Sequence, residues 1–513
     1  MKSASYEITD ILGQLTRRAA LIAGIAGGGI VAVLSTAGGV VGQQIQIRTI
    51  PVATGDQFLL VPSSNLGMAG LRFAVDDSVA DGWSNPAKGV FLGESAVFSA
   101  PTAYSVSQNA GDGLSLPLAA LLSGEKWFGG VSVALQEVRN SLDGSGGWVI
   151  PEWSGWRDAP TLSEVSSRNL YGSGFIGTRL GDGGWSAGVG VSTASLEAMD
   201  GVDLLYGGAS RIDQSGSINT YRAGVYRAGE RDNFSASLIR SVVDMEHEVT
   251  YVDVTWPDTT DDMLFSEPII ESRVETNLDK TRTWGMQFAW DRKLDAPGWR
   301  IGASLTGNRK THPKIPNYNI QNIPRDPGNS MAYEFGFGIS RTRGNSLVGL
   351  DIALQPIASD TWQEADEAVI VEGDILLIPK GGKTIENDFS FLNAQVRLGM
   401  QQQLDQLRLQ LGIEGRSYSY SLEQTNNIEG TVRDQDESWM EWTPAFSALF
   451  ELDGLDIQYG LRITTGAGIP GTAADGNFGS EMASPTIPGN DFVGAPDGPL
   501  TLVDANVVTH QLW

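Results

Sequence analysis

The side chains that could perform chemistry in this chain are few and scattered. Three histidines occur, His247, His312 and His510, and none lies in an HExxH or other metal-ligand spacing. A lipase-type site would need a Ser–His pair oriented by a third group, and no such constellation can be placed. We therefore expect surface histidines and a protein that is not an enzyme and has no metal or cofactor.

Two adjacent carboxylates, Asp76 and Asp77, could act as an acid–base pair. In their sequence context they are better interpreted as turn or helix-start residues that accept hydrogen bonds from backbone amides. The chain has no cysteine, which excludes disulfides and thiolate chemistry. A net charge of -26 argues against nucleic-acid binding, because phosphate contacts need a basic surface.

One segment is unusually rich in tryptophan for a long connection. Trp148, Trp153 and Trp156 fall together within residues 140–167. Such side chains are unfavourable in water, so they form either a capture site for a hydrophobic ligand or a patch that packs on neighbouring structure or lipid. Both interpretations stay open.

The elements that position these residues follow from a period of two. Trp284, Met286, Phe288 and Trp290 alternate with Gly285, Gln287, Ala289 and Asp291. Side chains alternate across a strand, so this pattern predicts one apolar and one polar face. Similar segments recur, separated by short polar turns at 123–126, 181–184, 229–232, 295–298, 344–346, 403–405 and 453–454. Longer connections lie at 140–167, 249–270, 311–328, 361–387, 420–436 and 467–500.

Composition is compatible with an antiparallel β-barrel that crosses a membrane. The hydrophobic content is 41% and the mean hydropathy is -0.12, since half of each strand would face water. Aromatic residues near segment ends favour membrane interfaces, with the core of a soluble sandwich as the alternative. They are Trp127, Trp185, Trp299, Trp439 and Trp442. Acidic residues at 253–267 and 429–437 indicate a solvated surface or divalent-cation bridges to anionic surface lipid.

Residues 1–42 have the pattern of a secretory signal peptide. Arg17 and Arg18 precede an apolar stretch and small residues end it. A twin-arginine variant and a retained membrane anchor are the alternatives. The terminal aromatic Trp513 is typical of a last barrel strand, although residues 511, 509, 507 and 505 are less apolar than expected.

Residues 43–93 differ from the repeating pattern. They contain Asn65–Gly70, Phe73–Asp77 and Trp83–Gly89. This run resembles the N-terminal motif of the FadL/OMPP1/TodX outer-membrane transporters and the related PorV-type barrels. The resemblance implies a plug or hatch inside the barrel. The matching residues are Gly67, Met68, Gly70, Asp76, Asp77, Asn85, Pro86 and Ala87. The sequence departs from the family pattern at Leu71, Arg72 and Lys88.

The expected architecture is therefore all-β: a transmembrane antiparallel barrel over residues 94–513 with an N-terminal plug over 43–93. Counting hairpins gives sixteen strands, whereas the resemblance implies fourteen. Pro101 and Pro117 make the first segments uncertain, so we expect about 14 strands (14–16). An even number leaves both ends of the barrel in the periplasm.

Three functions are compatible with this architecture in the bacterial outer membrane. The favoured one is passive uptake of hydrophobic compounds such as long-chain fatty acids. The alternatives are a PorV-like partner or shuttle in protein secretion, and a generic porin. Expected partners are outer-membrane lipid, a hydrophobic small molecule and the barrel-assembly machinery, with no nucleic acid.

Overall fold

The computed structural model describes residues 44–139, 166–202, 209–255, 269–312, 328–365, 368–371, 376–470 and 502–513. The expected signal peptide and the tryptophans Trp148, Trp153 and Trp156 lie outside these ranges. No helix among the described residues is long and apolar enough to cross a membrane.

Strands account for most of the described chain. They are β1 (Ala96–Ser99), β2 (Thr102–Val106), β3 (Asp112–Ser123), β4 (Trp127–Arg139), β5 (Ser166–Leu180), β6 (Trp185–Leu196), β7 (Ala209–Ala228), β8 (Asp232–Thr255), β9 (Ile269–Asp279), β10 (Arg282–Lys293), β11 (Trp299–His312), β12 (Gly328–Arg343), β13 (Ser346–Glu364), β14 (Val369–Val371), β15 (Leu376–Ile378), β16 (Lys383–Leu404), β17 (Leu407–Asn426), β18 (Thr431–Leu452), β19 (Leu455–Pro470) and β20 (Leu502–Leu512). Before them come the 3-10 turns Leu66–Met68 and Pro86–Phe91 and the helical turn Asp81–Ser84.

The strands form one closed antiparallel barrel, as the alternation predicts. Neighbours along the chain pair in order, and β20 pairs with both β19 and β2, which closes the sheet. β1 and β2 both pair with β3 and occupy one strand position. β9 and β10 both pair with β8 and share another. The small hairpin of β14 and β15 lies outside the barrel sheet.

The barrel therefore has sixteen strand positions, and the expectation of about fourteen is wrong. Pro101, which lacks an amide hydrogen, separates β1 from β2 without removing their pairing to β3. Pro117 lies within β3 opposite Ala134 of β4. Both segments that the prolines made uncertain are strands, and the expected even number is confirmed.

All seven short turns are where the sequence predicts them, on one rim of the barrel. The predicted long connection over 420–436 is wrong, because β17 and β18 stay paired up to Asn426 and Thr431. Parts of 249–270 and 361–387 are likewise strand. Apart from buried side chains such as Tyr251, Tyr420 and Leu422, these strand ends mix polar and apolar residues on both faces, so a strict alternation does not reveal them.

The two faces of the wall differ as predicted. Trp284, Met286 and Phe288 point outward and are each at least half exposed, whereas Thr283 and Gly285, on either side of Trp284, are buried. Exposed apolar side chains recur on the outer face of nearly every strand. A large exposed apolar surface on a closed barrel needs lipid around it.

The height of this surface fits a bacterial outer membrane. On β11 the outward residues are apolar from Trp299 to Leu305, and Arg309 is the first charged one above them. Ten residues at about 3.3 Å each and a tilt of roughly 40° give a band of about 25 Å. The chain is thus an outer-membrane barrel, with its short turns on the periplasmic side.

Two sequence expectations about individual side chains are wrong. Trp439 faces the interior, where its ring stacks on Tyr418 at 4.8 Å, while Trp442 faces outward. His247 is buried in β8 and is not a surface residue. Gln511, Thr509, Val507 and Ala505 are buried on the inner face of β20, which explains why they are not the apolar set expected before Trp513.

Candidate functional site

The chain before the first strand lies against the inner wall of the barrel. Residues 66–92 follow the wall through nearly its whole circumference, and we call them the inner ring. Beginning at Leu66 they contact β19, β18, β17, β16, β13, β12, β11, β8, β7, β6, β5, β4 and β3 in turn. The strand number falls along the inner ring, except that Gly82 and Trp83 reach Phe175 of β5 before Asn85 meets β8. The inner ring therefore narrows the half of the lumen near the short turns.

Glycines of the wall make room for the inner ring. Gly399 and Gly412 are register partners on β16 and β17. A Cβ on either would lie 2.7 or 2.5 Å from atoms of Met68, which is almost fully buried. A Cβ on Gly302 of β11 would lie 1.7 Å from the Phe73 carbonyl oxygen. Because real Cβ contacts are not this short, these positions accept only glycine while the inner ring packs against the wall.

The Asn-Pro-Ala part of the motif is held on the opposite side. The Asn85 side-chain amide donates to Ser235 Oγ on β8 at 2.8 Å, and its oxygen accepts from the Ala87 amide at 3.1 Å. The Ala87 carbonyl accepts from Ser186 Oγ on β6 at 2.9 Å. Gly188 leaves space for the Pro86 carbonyl. Buried polar groups satisfied in this way fix one position of the segment on the wall.

The two adjacent carboxylates have different partners. Asp77 accepts from the hydroxyls of Ser63 and Ser64 and from the amides of Val79 and Ala80, the backbone-capping role expected from the sequence. Asp76 instead forms a two-point ion pair with Arg300 of β11. Burial raises the pKa of the Asp76 carboxyl, but the Arg300 guanidinium outweighs burial and leaves that pKa below its usual value.

Gly67 and Gly70 serve different purposes. A Cβ on Gly67 would lie 2.4 Å from the Ser447 amide nitrogen, so close backbone approach requires glycine there. At Gly70 a Cβ would meet open space. Its φ of +69° is what favours glycine at this position.

Two of the three positions that depart from the family pattern, Arg72 and Lys88, are charge-paired. Arg72 donates to both carboxylate oxygens of Glu334 at 2.7 and 2.8 Å, and its amide donates to Asp351 at 2.7 Å. Lys88 pairs with Asp81 at 2.9 Å. Burial raises the pKa of Asp81, and Lys88 opposes this rise only in part. Sequence reasoning missed these partners. Glu334 and Asp351 lie about 260–280 residues from Arg72, and Asp81 lies on the helical turn before Lys88.

The inner ring and the wall enclose a cavity of about 460 Å³. Carboxylates and basic side chains line it together: Asp56, Asp76, Asp77, Asp81, Asp291, Glu334, Glu414, Glu441, Arg48, Arg72, Lys88, Arg397, Arg416 and Arg462. Most of them pair within the cavity wall. Glu414 bonds both Arg397 and Arg416 at 2.7 Å, and Arg462 bonds Asp56 at 3.0 Å.

The interior changes character toward the long connections. There many inward side chains are apolar and buried, alongside buried polar ones such as Gln214, His247 and Lys310. We call the apolar ones the outer apolar lining. It comprises Tyr171, Leu196, Ile212, Val243, Met245, Val249 and Tyr251 on one side and Ala332, Ile357, Phe389, Phe391, Tyr420 and Leu422 on the other. Ile45, Ile47, Ile50 and Val52 pack against it from the centre. A water-filled lumen is normally polar, so this lining is a distinctive property of the interior.

Metal chemistry finds no support in the described part of the chain. No group of three or more His, Asp or Glu side chains there is placed to hold an ion. His510 contacts Tyr459 through Nδ1 at 2.8 Å, on the outer face of the wall.

No family model matches this sequence, and no curated protein matches it. Solved structures of several outer-membrane barrels are similar to it, among them these three. A FadL homologue from Pseudomonas aeruginosa is 10% identical with a TM-score of 0.43, covering 90% of this chain and 99% of the other. The toluene transporter TbuX of Ralstonia pickettii is 10% identical with a TM-score of 0.36, covering 90% and 98%. The toluene transporter TodX of Pseudomonas putida is 10% identical with a TM-score of 0.34, covering 93% and 99%. At such identities the likeness concerns the barrel alone and gives this chain no activity.

Proposed function

We propose that this protein is a passive outer-membrane transporter for hydrophobic compounds such as long-chain fatty acids, with the inner ring acting as a plug. The outer apolar lining is the observation that carries the substrate class. A polar solute gains nothing from inward aromatic rings, whereas an alkyl chain gains about 0.8 kcal/mol for each methylene group removed from water.

The contacts of the inner ring with the wall support its proposed role as a plug. The inner ring is held by Asn85, Ala87, Asp76 and Arg72 at separate points of the wall. A substrate that leaves the outer apolar lining must pass the charged cavity. Displacement of the inner ring would open this path.

The test is flux of a fluorescent fatty acid into liposomes that contain the purified barrel. Replacing Phe389 and Phe391 by Gln should lower the flux at least fivefold, because both rings line the interior. Ser390→Gln is the matched control, since Ser390 lies between them on the exposed face of β16. Equal flux in all variants would contradict the substrate class. Flux that is unchanged after Asn85→Ala would contradict the plug.

A water-filled pore is a second candidate, favoured by the charged lining of the cavity. Single-channel recording distinguishes the two. A plugged transporter should conduct little, whereas a pore should conduct steadily and carry no fatty acid.

The tryptophans Trp148, Trp153 and Trp156 remain proposed capture residues. Replacing all three by Ala should weaken uptake at low ligand concentration more than at saturation. Unchanged uptake at every concentration would remove the capture role.

A further inference from the structure

A basic cluster interrupts the lipid-facing surface at its outer margin. Trp284 of β10 lies directly opposite Arg240 of β8 and Arg309 of β11 in the register of the sheet. Arg282 is two residues before Trp284 and therefore on the same face. All four side chains share the outer face with Leu238, Met286 and Leu305, which are exposed to lipid.

The geometry of the cluster is that of a prepared anion site, with one of its guanidinium groups stacked on an aromatic ring. The Arg240 guanidinium lies over the Trp284 ring, 4.9 Å from its centroid. Arg282 and Arg309 are exposed. None of the three guanidinium groups has a carboxylate partner among the described residues. Of the nearby charges on the outer face, Asp244 is paired with Lys280 at 3.8 Å.

The height of the cluster along the barrel axis indicates which part of the membrane it contacts. Arg309 is about 25 Å above Trp299 along the barrel axis, at the upper edge of the apolar band and on the side of the long connections. That level is the headgroup region of the external leaflet. Three unpaired arginines there are unusual in a chain of net charge -26. They complement an anion that carries several negative charges, such as a phosphate.

We infer that Arg240, Arg282 and Arg309, arranged around Trp284, bind the phosphorylated headgroup of an outer-leaflet glycolipid. The guanidinium groups receive the phosphate, and the acyl chains lie on Leu238, Met286 and Leu305 below. Phosphate oxygens accept paired hydrogen bonds from arginine. The Trp284 ring holds Arg240 flat, so that fewer rotamers are lost on binding. The inference does not depend on transport.

The chain contains a matched control at the opposite edge of the band. Trp299 of β11 lies opposite Arg341 of β12, with the guanidinium 5.1 Å from the ring centroid. Trp185 and Arg227 repeat the arrangement on β6 and β7 at 5.7 Å. Both pairs are near the short turns and thus face the periplasmic leaflet.

The experiment measures binding of diphosphorylated lipid A to the full-length barrel in detergent by native mass spectrometry. The wild-type protein should retain it, and the triple variant R240Q/R282Q/R309Q should bind it roughly fivefold more weakly for each arginine removed. The control R227Q/R341Q should bind as the wild type does. Dephosphorylated lipid A should bind the wild type and the triple variant equally.

Folding of each variant is checked by the mobility shift of the barrel between unheated and heated gel samples. Equal retention of diphosphorylated lipid A by the folded wild type and triple variant would overturn the inference. So would an equal loss in the control variant, because binding would then follow total charge and not this cluster. Should the triple variant fail to fold, R309Q alone provides the same comparison.

Discussion

Gly224 and Asn85 approach so closely that a methyl group on the glycine would lie 1.8 Å from the asparagine Oδ1. They are separated by more than a hundred residues, one on the wall and one on the inner ring. The contact joins the wall to the segment proposed as the plug.

Gly224→Ala should displace Asn85 and loosen the inner ring. Overpacking of this kind costs about 1–3 kcal/mol. The chain has no cysteine, so a cysteine introduced at Ala80, which lines the cavity, reports on the ring by its rate of maleimide labelling. Labelling should accelerate in the variant. Gly307→Ala is the control, since a Cβ there meets Tyr333 at an ordinary 3.6 Å.

Met68→Ala should destabilise the inner ring by leaving a void over Gly399 and Gly412. Truncation of a buried methionine typically costs about 2–5 kcal/mol. Guanidinium unfolding followed by tryptophan fluorescence should show the loss. Met331→Ala, on the lipid-facing side of β12, should have a smaller effect in detergent. Equal losses of stability in the two variants would mean that Met68 does not anchor the inner ring to the wall.

Acid should weaken the attachment of the inner ring through Asp76. Its pKa lies below the unfolded value of 3.8 because Arg300 favours the charged form. Ionised Asp76 therefore stabilises the ring above that value, and this contribution disappears as the pH falls through the lower folded pKa. Wild type and Asp76→Asn should differ in labelling at neutral pH and converge in acid. A difference that persists at the lowest pH would contradict this role of ionisation, and Asp182→Asn, in an exposed turn, should have no effect.

Adjacent residues on β10 should differ strongly in how much a new charge destabilises the barrel. Phe288 is half exposed to lipid, and Phe288→Arg should reduce stability in bilayers by about 2–4 kcal/mol. Gln287 lines the cavity, and Gln287→Arg should have a much smaller effect. Refolding into liposomes across a urea series measures the change in stability for both variants. A larger loss for Gln287→Arg than for Phe288→Arg would contradict the assignment of lipid to the Phe288 face.

The alternation of side chains and the polar turns between them predicted the strands, the position of all seven short turns and the face of Trp284, Met286 and Phe288. These features are local, since each depends only on residues two apart on one strand. The motif at Asn85-Pro86-Ala87 likewise marked the segment that meets the wall. The capping role of Asp77 was recognisable in the sequence because the amides that it caps, those of Val79 and Ala80, lie only a few residues away.

Only the tertiary structure decided the rest. The polar ends of β17 and β18 carry no apolar period, so hydrogen-bonded pairing alone reveals them as strands. Trp439 looked like an interface residue, but the register of β18 turns it inward onto Tyr418. The contacts of Met68 with Gly399 and Gly412 join residues more than two hundred positions apart, and so does the ion pair of Asp76 with Arg300. Closure of the sheet brings such residues together, and no pattern along the chain records which positions will meet.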